Sequence, residues 1–183
     1  MLALTDDPHT TTSWAKGAAG ERRMGAMLDA LAEAGVVAIH DRLRPGTKAN
    51  IDHVAVAPSG VWVIDPKCYQ GEVTRRDVGG WFSTDVRLYV GRRDCMKLVT
   101  AMSKQVDAVR EALGPDWATV PVRPVLCFVG AEWPLFAKPF ELEGVLVTWP
   151  KAARELLVRP GPYAPATVQL IASKLDERLR PAS

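Results

Sequence analysis

Two short hydrophobic runs on either side of a turn signal dominate the first half of the chain. The runs Val54–Ala57 and Val61–Ile64 flank Pro58-Ser59-Gly60, and this pattern predicts a β-hairpin over residues 51–67. Elsewhere, apolar positions at helical spacing alternate with short buried runs. In chain order, they predict a helix at 14–34, a strand at 36–41, the hairpin, strands at 72–75 and 81–90, a helix at 94–113, strands at 125–129 and 145–148, a helix from 150 and a helix at 167–179. This order indicates a three-layer α/β domain with a mixed sheet flanked by helices.

Charged residues stand at the far ends of both hairpin strands. Asp52 precedes the first hydrophobic run, and Asp65 and Lys67 follow the second. If the loop is centred on residues 58 and 59, Asp52 faces Asp65; if it is centred on 59 and 60, Asp52 faces Lys67. Since side chains alternate along a strand, the three charged groups share one face in both registers.

Two carboxylates and a lysine on one face suit phosphate chemistry. Neighbouring carboxylates repel each other and are stabilised by a cation between them. Oxygen ligands with few protein contacts favour Mg²⁺, with Mn²⁺ as a substitute, and the metal completes its shell with water and phosphate. Such a metal polarises a phosphoryl oxygen, and a lysine orients the attacking water or stabilises charge on the phosphate. The alternative is a set of ordinary surface ion pairs, which is the better interpretation for any one of these residues alone.

A fourth acid, Glu21, lies in the first predicted helix. It falls within the helix's apolar stripe, where a carboxylate is rarely left unpaired because burying a lone charge is costly. Gly17 and Gly20 permit a close approach of the helix backbone to a neighbour. The alternative places Glu21 at the edge of the stripe, where the helix dipole favours an acid. The stripe comprises Trp14, Ala18, Met24, Leu28 and Leu31.

The helix predicted at 94–113 has one polar residue, Gln105, in its apolar stripe. A glutamine that faces inward must find hydrogen-bond partners. From the pattern alone, Gln105 is a core glutamine that bonds to nearby backbone.

Four ordered motifs resemble the nuclease-related domain (NERD) family, a branch of the PD-(D/E)XK nuclease superfamily. The resemblance is dense from residue 16 to about 73, and it implies the restriction-endonuclease-like fold. It also implies that Glu21 is the helix acid, Asp52 the acid of the second motif, and Asp65 and Lys67 the third motif. The resemblance continues weakly through the helix that holds Gln105, where the family often has a glutamine beside the site, so it implies that Gln105 is a supporting residue; the core role is at least as well supported. The motifs are Gly17-Ala18-Ala19-Gly20-Glu21, Asn50-Ile51-Asp52-His53-Val54, Pro58-Ser59-Gly60-Val61-Trp62-Val63-Ile64 and Asp65-Pro66-Lys67-Cys68-Tyr69-Gln70-Gly71.

The chain departs from the family pattern within the third motif. Family members usually carry Glu where this chain has Asp65. Pro66 lacks an N–H and is unwelcome inside a central strand, so it requires a sheet edge, a bulge or the end of strand pairing at that point.

Composition bounds the remaining possibilities. The chain has 183 residues, of which 48% are hydrophobic, and a net charge of +2, which suits one globular domain over 14–183 after a flexible segment at 1–13. Three cysteines form no metal-binding spacing and suit a reducing cytoplasm, and no apolar run reaches membrane-spanning length. His53 should point to the face opposite Asp52 and serve a structural role. Candidate phosphate contacts are Arg22-Arg23, Arg42, Arg44, Lys48, Arg75-Arg76 and Arg92-Arg93.

These observations favour a Mg²⁺-dependent phosphodiesterase that acts on DNA. Glu21, Asp52, Asp65, Lys67 and Gln105 are its candidate catalytic residues, and Asp52, Asp65 and Glu21 are the candidate metal ligands. The alternative is a catalytically degenerate nucleic-acid-binding module that uses the same groove. RNA as a substrate, a helicase or another nucleic-acid-processing protein as a partner, and the oligomeric state all stay open.

Overall fold

The computed structural model describes residues 8–182, with side chains from residue 16 onward. The helices of this part are α1 (Pro8–Asp29), α2 (Met96–Leu113), α3 (Pro150–Leu157) and α4 (Pro165–Arg178). Its strands are β1 (Val37–Leu43), β2 (Asn50–Ala57), β3 (Gly60–Lys67), β4 (Val73–Asp77), β5 (Val86–Val90), β6 (Arg93–Asp94), β7 (Val122–Phe128), β8 (Phe140–Leu142) and β9 (Val145–Thr148). In this part of the chain, no helix combines the length and apolarity needed to cross a membrane.

A six-stranded mixed sheet lies at the centre, in the order β1-β2-β3-β7-β9-β8. The strands β1, β2 and β3 form an antiparallel meander, whereas β7 joins β3 in parallel after the crossover through α2. A parallel neighbour requires such a crossover, because its strand must start again from the same end of the sheet. The strands β4, β5 and β6 form a separate antiparallel sheet, here called the ribbon.

Alternation along β2 and β3 divides the core into two layers. On one face Val54, Val56, Val61 and Val63 belong to the cluster that contains apolar residues of α2 and α4. On the other face Ala55, Ala57, Trp62 and Ile64 pack with Met24, Leu28 and Leu31 of α1 and with α3. Since both faces are covered by helices, the strands are apolar throughout, and the predicted three-layer α/β fold with a mixed sheet is confirmed.

Two local predictions are corrected by the structure, and two short strands were missed. The first helix begins at Pro8, six residues before its predicted start, while residues 1–7 of the predicted N-terminal segment lie outside the described residues. The predicted strand at 81–90 is confined to β5, because residues 78–85 form the turn of the ribbon. The short strands β6 and β8, with two and three residues, were not predicted because so few residues carry no period.

Candidate active site

The turn at Pro58-Ser59 sets the register of the hairpin. Ala57 pairs with Gly60 and His53 with Ile64, so the first of the two predicted registers is correct and brings Asp52 opposite Asp65. Gly60 has φ +126°, and a Cβ there would lie 2.7 Å from the carbonyl oxygen of Pro121, so a glycine is required. The register therefore rests on backbone geometry at the turn as well as on the hydrophobic pattern.

Asp65 is the most buried acid of the site, with a relative exposure of 5%. The ammonium Nζ of Lys67 lies 2.5 Å from its Oδ1, and the amide Nε2 of Gln105 donates to its Oδ2 at 3.4 Å. Asp65 and Lys67 therefore share one face of β3, as predicted, and α2 supplies Gln105 from the layer above that face. A buried carboxylate with a cation and an amide donor on separate oxygens is held in one orientation.

Asp52 and Asp65 form an electrostatically unfavourable pair. Burial raises the pKa of the Asp52 carboxyl from its ordinary 3.8 to about 7, and the charge of Asp65 and a hydrogen bond with it add to the effect. The charge of Glu21 raises this pKa further, whereas Lys67 opposes the shift. With a pKa near 7, the Asp52 carboxyl holds its proton at a pH where isolated acids are ionised.

Lys67 stays protonated in this setting. Burial lowers the pKa of its ammonium, but the charge of Asp65, a hydrogen bond to it and the charge of Asp52 outweigh burial and raise the pKa above its usual range. The lysine is therefore a hydrogen-bond donor and a fixed positive charge at neutral pH, and it is unsuited to accept a proton.

Glu21 reaches the site from the opposite helical layer. Its side chain is exposed, so Glu21 lies at the edge of the apolar stripe of α1, which is the alternative that the sequence offered, and not within the stripe. Met24, Leu28 and Leu31 of that stripe are buried, whereas the side chain of Trp14 lies outside the described residues. Glu21 lines an open cleft with Lys67, one turn of helix before the buried stripe begins, and its charge acts on Asp52.

Gly20 brings α1 against the chain that follows β3. A Cβ at Gly20 would lie 2.0 Å from the Sγ of Cys68, whereas a Cβ at Gly17 would meet nothing within 4 Å. The predicted close approach is therefore present at Gly20 and absent at Gly17. The contact at Cys68 fixes how near Glu21, the next residue of the helix, stands to Lys67, the residue before Cys68.

Pro66 lies where one of the two ladders of β3 has ended. Pairing with β2 stops at His53–Ile64, but pairing with β7 continues to Lys67–Phe128. Val61 donates to Pro121 and Lys67 accepts from Val129, so alternate residues from Val61 to Lys67 direct their backbone groups toward β7. Pro66 directs its nitrogen to the β2 side, beyond the last pair, and costs no ladder bond there. Of the three settings expected for Pro66, a sheet edge, a bulge or the end of strand pairing, the structure has the third, because pairing between β2 and β3 has ended there.

A buried histidine supports the helix that carries Glu21. His53 lies on the face opposite Asp52, where its Nδ1 is 2.8 Å from Nδ1 of His40, and Nε2 of His40 is 2.9 Å from Oδ1 of Asp29. Burial lowers the pKa of His53 to about 4, with a further contribution from His40. The neutral ring joins β1, β2 and α1, which agrees with the structural role predicted from its face.

A second cleft, on the α2 side of the site, is lined with positive charge. Arg44, Arg87, Lys97 and Lys104 line it together with Gln105. Of these, only Arg44 was predicted to contact phosphate. Lys97 and Lys104 lie seven residues apart on α2, which is two turns, and this spacing beside an inward glutamine is a signal that the sequence contains. Arg87 could not be found in this way, because it belongs to the ribbon.

The carboxylates suit a hard divalent cation, although they do not form a complete cage. Within residues 16–182, no group of three or more His, Cys, Asp and Glu is arranged to hold a metal ion. The donors at the site are carboxylate oxygens in mutual repulsion, which is the donor type that Mg²⁺ and Mn²⁺ accept with water and phosphate as further ligands. The assignment of Asp52, Asp65 and Glu21 as metal ligands stays a prediction.

One comparison with known proteins identifies a relationship. The family model for the nuclease-related domain matches residues 16–129, which is more than half of the chain and includes all five predicted site residues. No curated protein and no solved structure matches the chain significantly.

Proposed function

Because the chain belongs to the nuclease-related domain family, we propose that it is a metal-dependent nuclease that hydrolyses phosphodiester bonds in DNA. The observation that carries this proposal is the Asp52–Asp65 pair, in which Asp65 is buried and Asp52 half-buried, with the Lys67 ammonium 2.5 Å from Asp65. A fold gains no stability from two carboxylates in contact, since their repulsion and desolvation both disfavour it. Such a pair is expected where a cation is to be bound.

The proposed metal is Mg²⁺, with Mn²⁺ as a substitute, held by Asp52 and Asp65. Glu21 faces the cleft and acts through a water or directly. The chemistry that such a bound cation supplies is polarisation of a phosphoryl oxygen and a lower pKa for a coordinated water. Water and substrate phosphate complete its shell, which agrees with the small number of protein donors.

Lys67 acts in this proposal as a donor with a permanent charge. Its raised pKa keeps it an ammonium, so it orients the attacking water and stabilises negative charge on the phosphate without removing a proton. Gln105 is a positioning residue that holds the Asp65 carboxylate through Nε2. The Oε1 of Gln105 is buried without a hydrogen-bond partner among the described residues, so it can accept from a water in the site.

The DNA backbone is proposed to run past the acids between the two clefts. On one side Lys16 and Arg93 line the cleft of Glu21 and Lys67, and on the other side Arg44, Lys97 and Lys104 line the cleft of Gln105. Basic groups on both flanks allow a net charge of only +2 to coexist with phosphate binding, because the positive charge is concentrated beside the site.

One observation favours a second candidate, a nucleic-acid-binding module without catalysis. The ammonium of Lys67 forms an ion pair with Oδ1 of Asp65, so a metal that binds through that oxygen must displace the ammonium. Asp65 is also one methylene shorter than the Glu usual in the family, which leaves it less reach. In a binding module without catalysis, the two clefts would bind the DNA backbone, and the acids would only disfavour the binding of other anions.

A cleavage assay separates the two functions. Supercoiled, linear and single-stranded DNA, and an RNA of the same sequence, are incubated with wild-type protein in Mg²⁺, Mn²⁺ or EDTA. We expect DNA cleavage with either metal, no cleavage in EDTA, and cleavage about 10²-fold slower or more by Lys67→Ala. Binding to DNA by wild-type protein without cleavage of any form would establish the non-catalytic module instead.

A further inference from the structure

Two adjacent aromatic residues are fully displayed at the tip of the ribbon. Trp81 and Phe82 have relative exposures of 98% and 100%, which leaves both rings without a packing partner in the described part of the chain. Large aromatic side chains are seldom left in water, because each forgoes a substantial gain from burial. Two neighbouring ones at the end of a projecting hairpin indicate a surface that binds something.

The turn that displays these rings is well ordered by its own hydrogen bonds. Oδ1 of Asp77 accepts from the backbone N–H groups of Gly79 and Asp85, each at 2.9 Å. Gly80 donates to Oγ of Ser83 at 3.1 Å. A Cβ at Gly79 would lie 2.0 Å from the carbonyl oxygen of Ser83, so the turn closes only with glycine there. These hydrogen bonds hold the turn in the conformation that points Trp81 and Phe82 outward.

The ribbon connects this tip to the proposed active site. Val90 and Arg93, at its base, line the same cleft as Glu21 and Lys67. Five residues of β5 at about 3.3 Å each put the tip roughly 16 Å from that base, which is about five nucleotide steps of a duplex strand. A nucleic acid strand that leaves the cleft along the ribbon would therefore reach Trp81 and Phe82 after about five nucleotides.

The charge of the ribbon fits a polyanion. Residues 73–94 contain five arginines and three aspartates. The aspartates are engaged within the ribbon, since Asp77 closes the turn and Asp85 and Asp94 pair with Arg87. Arg75, Arg92 and Arg93 have no carboxylate partner within the described residues. Positive charge along a ribbon that ends in exposed aromatic rings is a combination by which proteins bind unpaired nucleotides, with phosphates on the cations and bases stacked on the rings.

We propose that Trp81 and Phe82 stack on unpaired bases, so that the preferred substrate is DNA with a single-stranded segment next to the bond that is cut. Bases of a closed duplex are stacked on each other and present no free face to the tip. The proposal rests on the proposed nuclease function, although base stacking itself needs neither metal nor cleavage. The surroundings of the tip favour bases over a lipid surface, because Gly79, Gly80, Ser83 and Thr84 border the two rings and the turn at 78–85 adds only one further exposed apolar side chain, Val78 at 49%.

The test measures binding and cleavage separately for the variant Trp81→Ala/Phe82→Ala. Binding is followed by fluorescence anisotropy in EDTA with a single strand, a blunt duplex and a fork with unpaired arms, all of one sequence. We expect the variant to lose about tenfold or more in affinity for the single strand and the fork, the range set by one stacked base, and less than twofold for the duplex. Trp81→Phe, which keeps a ring, should retain most of the affinity.

The matched control removes another exposed apolar pair, Leu135 and Phe136, which are 84% and 89% exposed on a different loop. Leu135→Ala/Phe136→Ala should leave all three affinities unchanged. Equal losses in both double variants, or an equal loss for duplex and single strand, would overturn the proposal. So would loss of binding to anionic phospholipid vesicles in the tip variant with unchanged DNA binding.

Cleavage distinguishes this proposal from the function it builds on. If wild-type protein binds the single strand through the tip but cuts no DNA with Mg²⁺ or Mn²⁺, stacking stands and the nuclease function fails. If wild-type protein cuts duplex and fork alike and the tip variant does the same, the nuclease function stands and stacking fails. A 2-aminopurine base placed in one fork arm should lose fluorescence on binding wild-type protein and retain it with the tip variant.

Discussion

At the open end of β2 and β3, Asp52 and Asp65 face each other on one side of an apolar sheet, whereas Trp81 and Phe82 at the tip of the ribbon are exposed to water. Each region reverses the usual distribution of polar and apolar groups. In the sheet, the charged Asp52 and Asp65 follow Val54 and Val63 on the same face, where apolar residues form the core. At the tip, aromatic rings occupy positions where a serine or glycine would satisfy the turn.

The difference between the two regions lies in what holds them in place. The acids are fixed by two ladders, by Lys67 and by Gln105 from α2, so their repulsion is built into the folded state. The aromatic rings are held only by a local turn, so their removal costs the fold little. Substitutions at the acids should therefore change chemistry and stability together, whereas substitutions at the tip should change substrate choice alone.

The largest effect is expected for Lys67→Ala. Loss of the ammonium removes a fixed donor at the phosphate, and we expect kcat to fall about 10²-fold or more, with DNA affinity nearly unchanged because other basic groups remain. Single-turnover cleavage and anisotropy give the two quantities. Lys104→Ala, in the second cleft, is the matched control, and it should weaken binding while kcat at saturating DNA is retained. Cleavage undiminished in Lys67→Ala would show that the lysine has another role.

The second effect concerns Asp52 and the pH dependence of stability. The pKa of Asp52 is raised to about 7 in the folded protein, from an unfolded value near 3.8, so the folded state binds more protons between these values. The contribution of Asp52 to the free energy of unfolding should then be highest below about pH 4. It should fall by up to about 1.4 kcal/mol per pH unit as the pH rises toward 7. Urea unfolding in EDTA at several pH values measures this.

Asp52→Asn should remove that dependence, because an amide neither ionises nor repels Asp65. We expect the variant without metal to be more stable than wild-type protein at pH 7 and the two to converge at low pH. Mg²⁺ or Mn²⁺ should raise the Tm of wild-type protein by mass action and leave that of Asp52→Asn unchanged. Equal Tm shifts in both proteins would remove Asp52 from the ligand set.

Local pattern was sufficient to predict the hairpin and the shared face of Asp52, Asp65 and Lys67, since period-two alternation needs no knowledge of distant residues. The register needed more. The turn residues allowed two loops, and the choice is made by tertiary contacts: Arg123 donates to the carbonyl of Ser59 at 2.7 Å, and Pro121 leaves no room for a Cβ at Gly60. Both contacts come from residues about 60 positions further along the chain.

The position of Glu21 could not be predicted for a related reason. Helical spacing puts Glu21 in line with Met24 and Leu28, and spacing alone cannot indicate where the sheet beneath a helix ends. The exposed tip was predicted as part of a strand because residues 81–90 are rich in aromatic and β-branched residues. The turn depends on hydrogen bonds to Asp77, which lies before residues 81–90. The strand propensity of residues 81–90 was therefore overridden by a side chain outside that segment.

A smaller effect, on stability, is expected for Gly20→Ala. The added methyl group would overlap the Sγ of Cys68, so the thiol must rotate away or α1 must shift, at a cost of about 1–3 kcal/mol. Gly17→Ala is the matched control in the same helix, and it should stabilise the protein by about 0.5–1 kcal/mol because nothing lies within 4 Å. Urea unfolding measures both. Equal effects at the two positions would show that the helix does not touch Cys68.

The smallest effect is expected for Pro66→Thr, which restores an N–H between Asp65 and Lys67. This N–H would point toward the β2 side, beyond the last pair of that ladder, so it gains no partner, and the unfolded chain becomes more flexible. We expect a loss of about 0.5–1 kcal/mol in the free energy of unfolding and cleavage that is equal to or higher than that of wild-type protein. Pro124→Thr, in the neighbouring strand β7 and away from the acids, should leave cleavage unchanged. A strong loss of cleavage in Pro66→Thr without unfolding would mean that the rigid proline holds Asp65 and Lys67 in their active geometry.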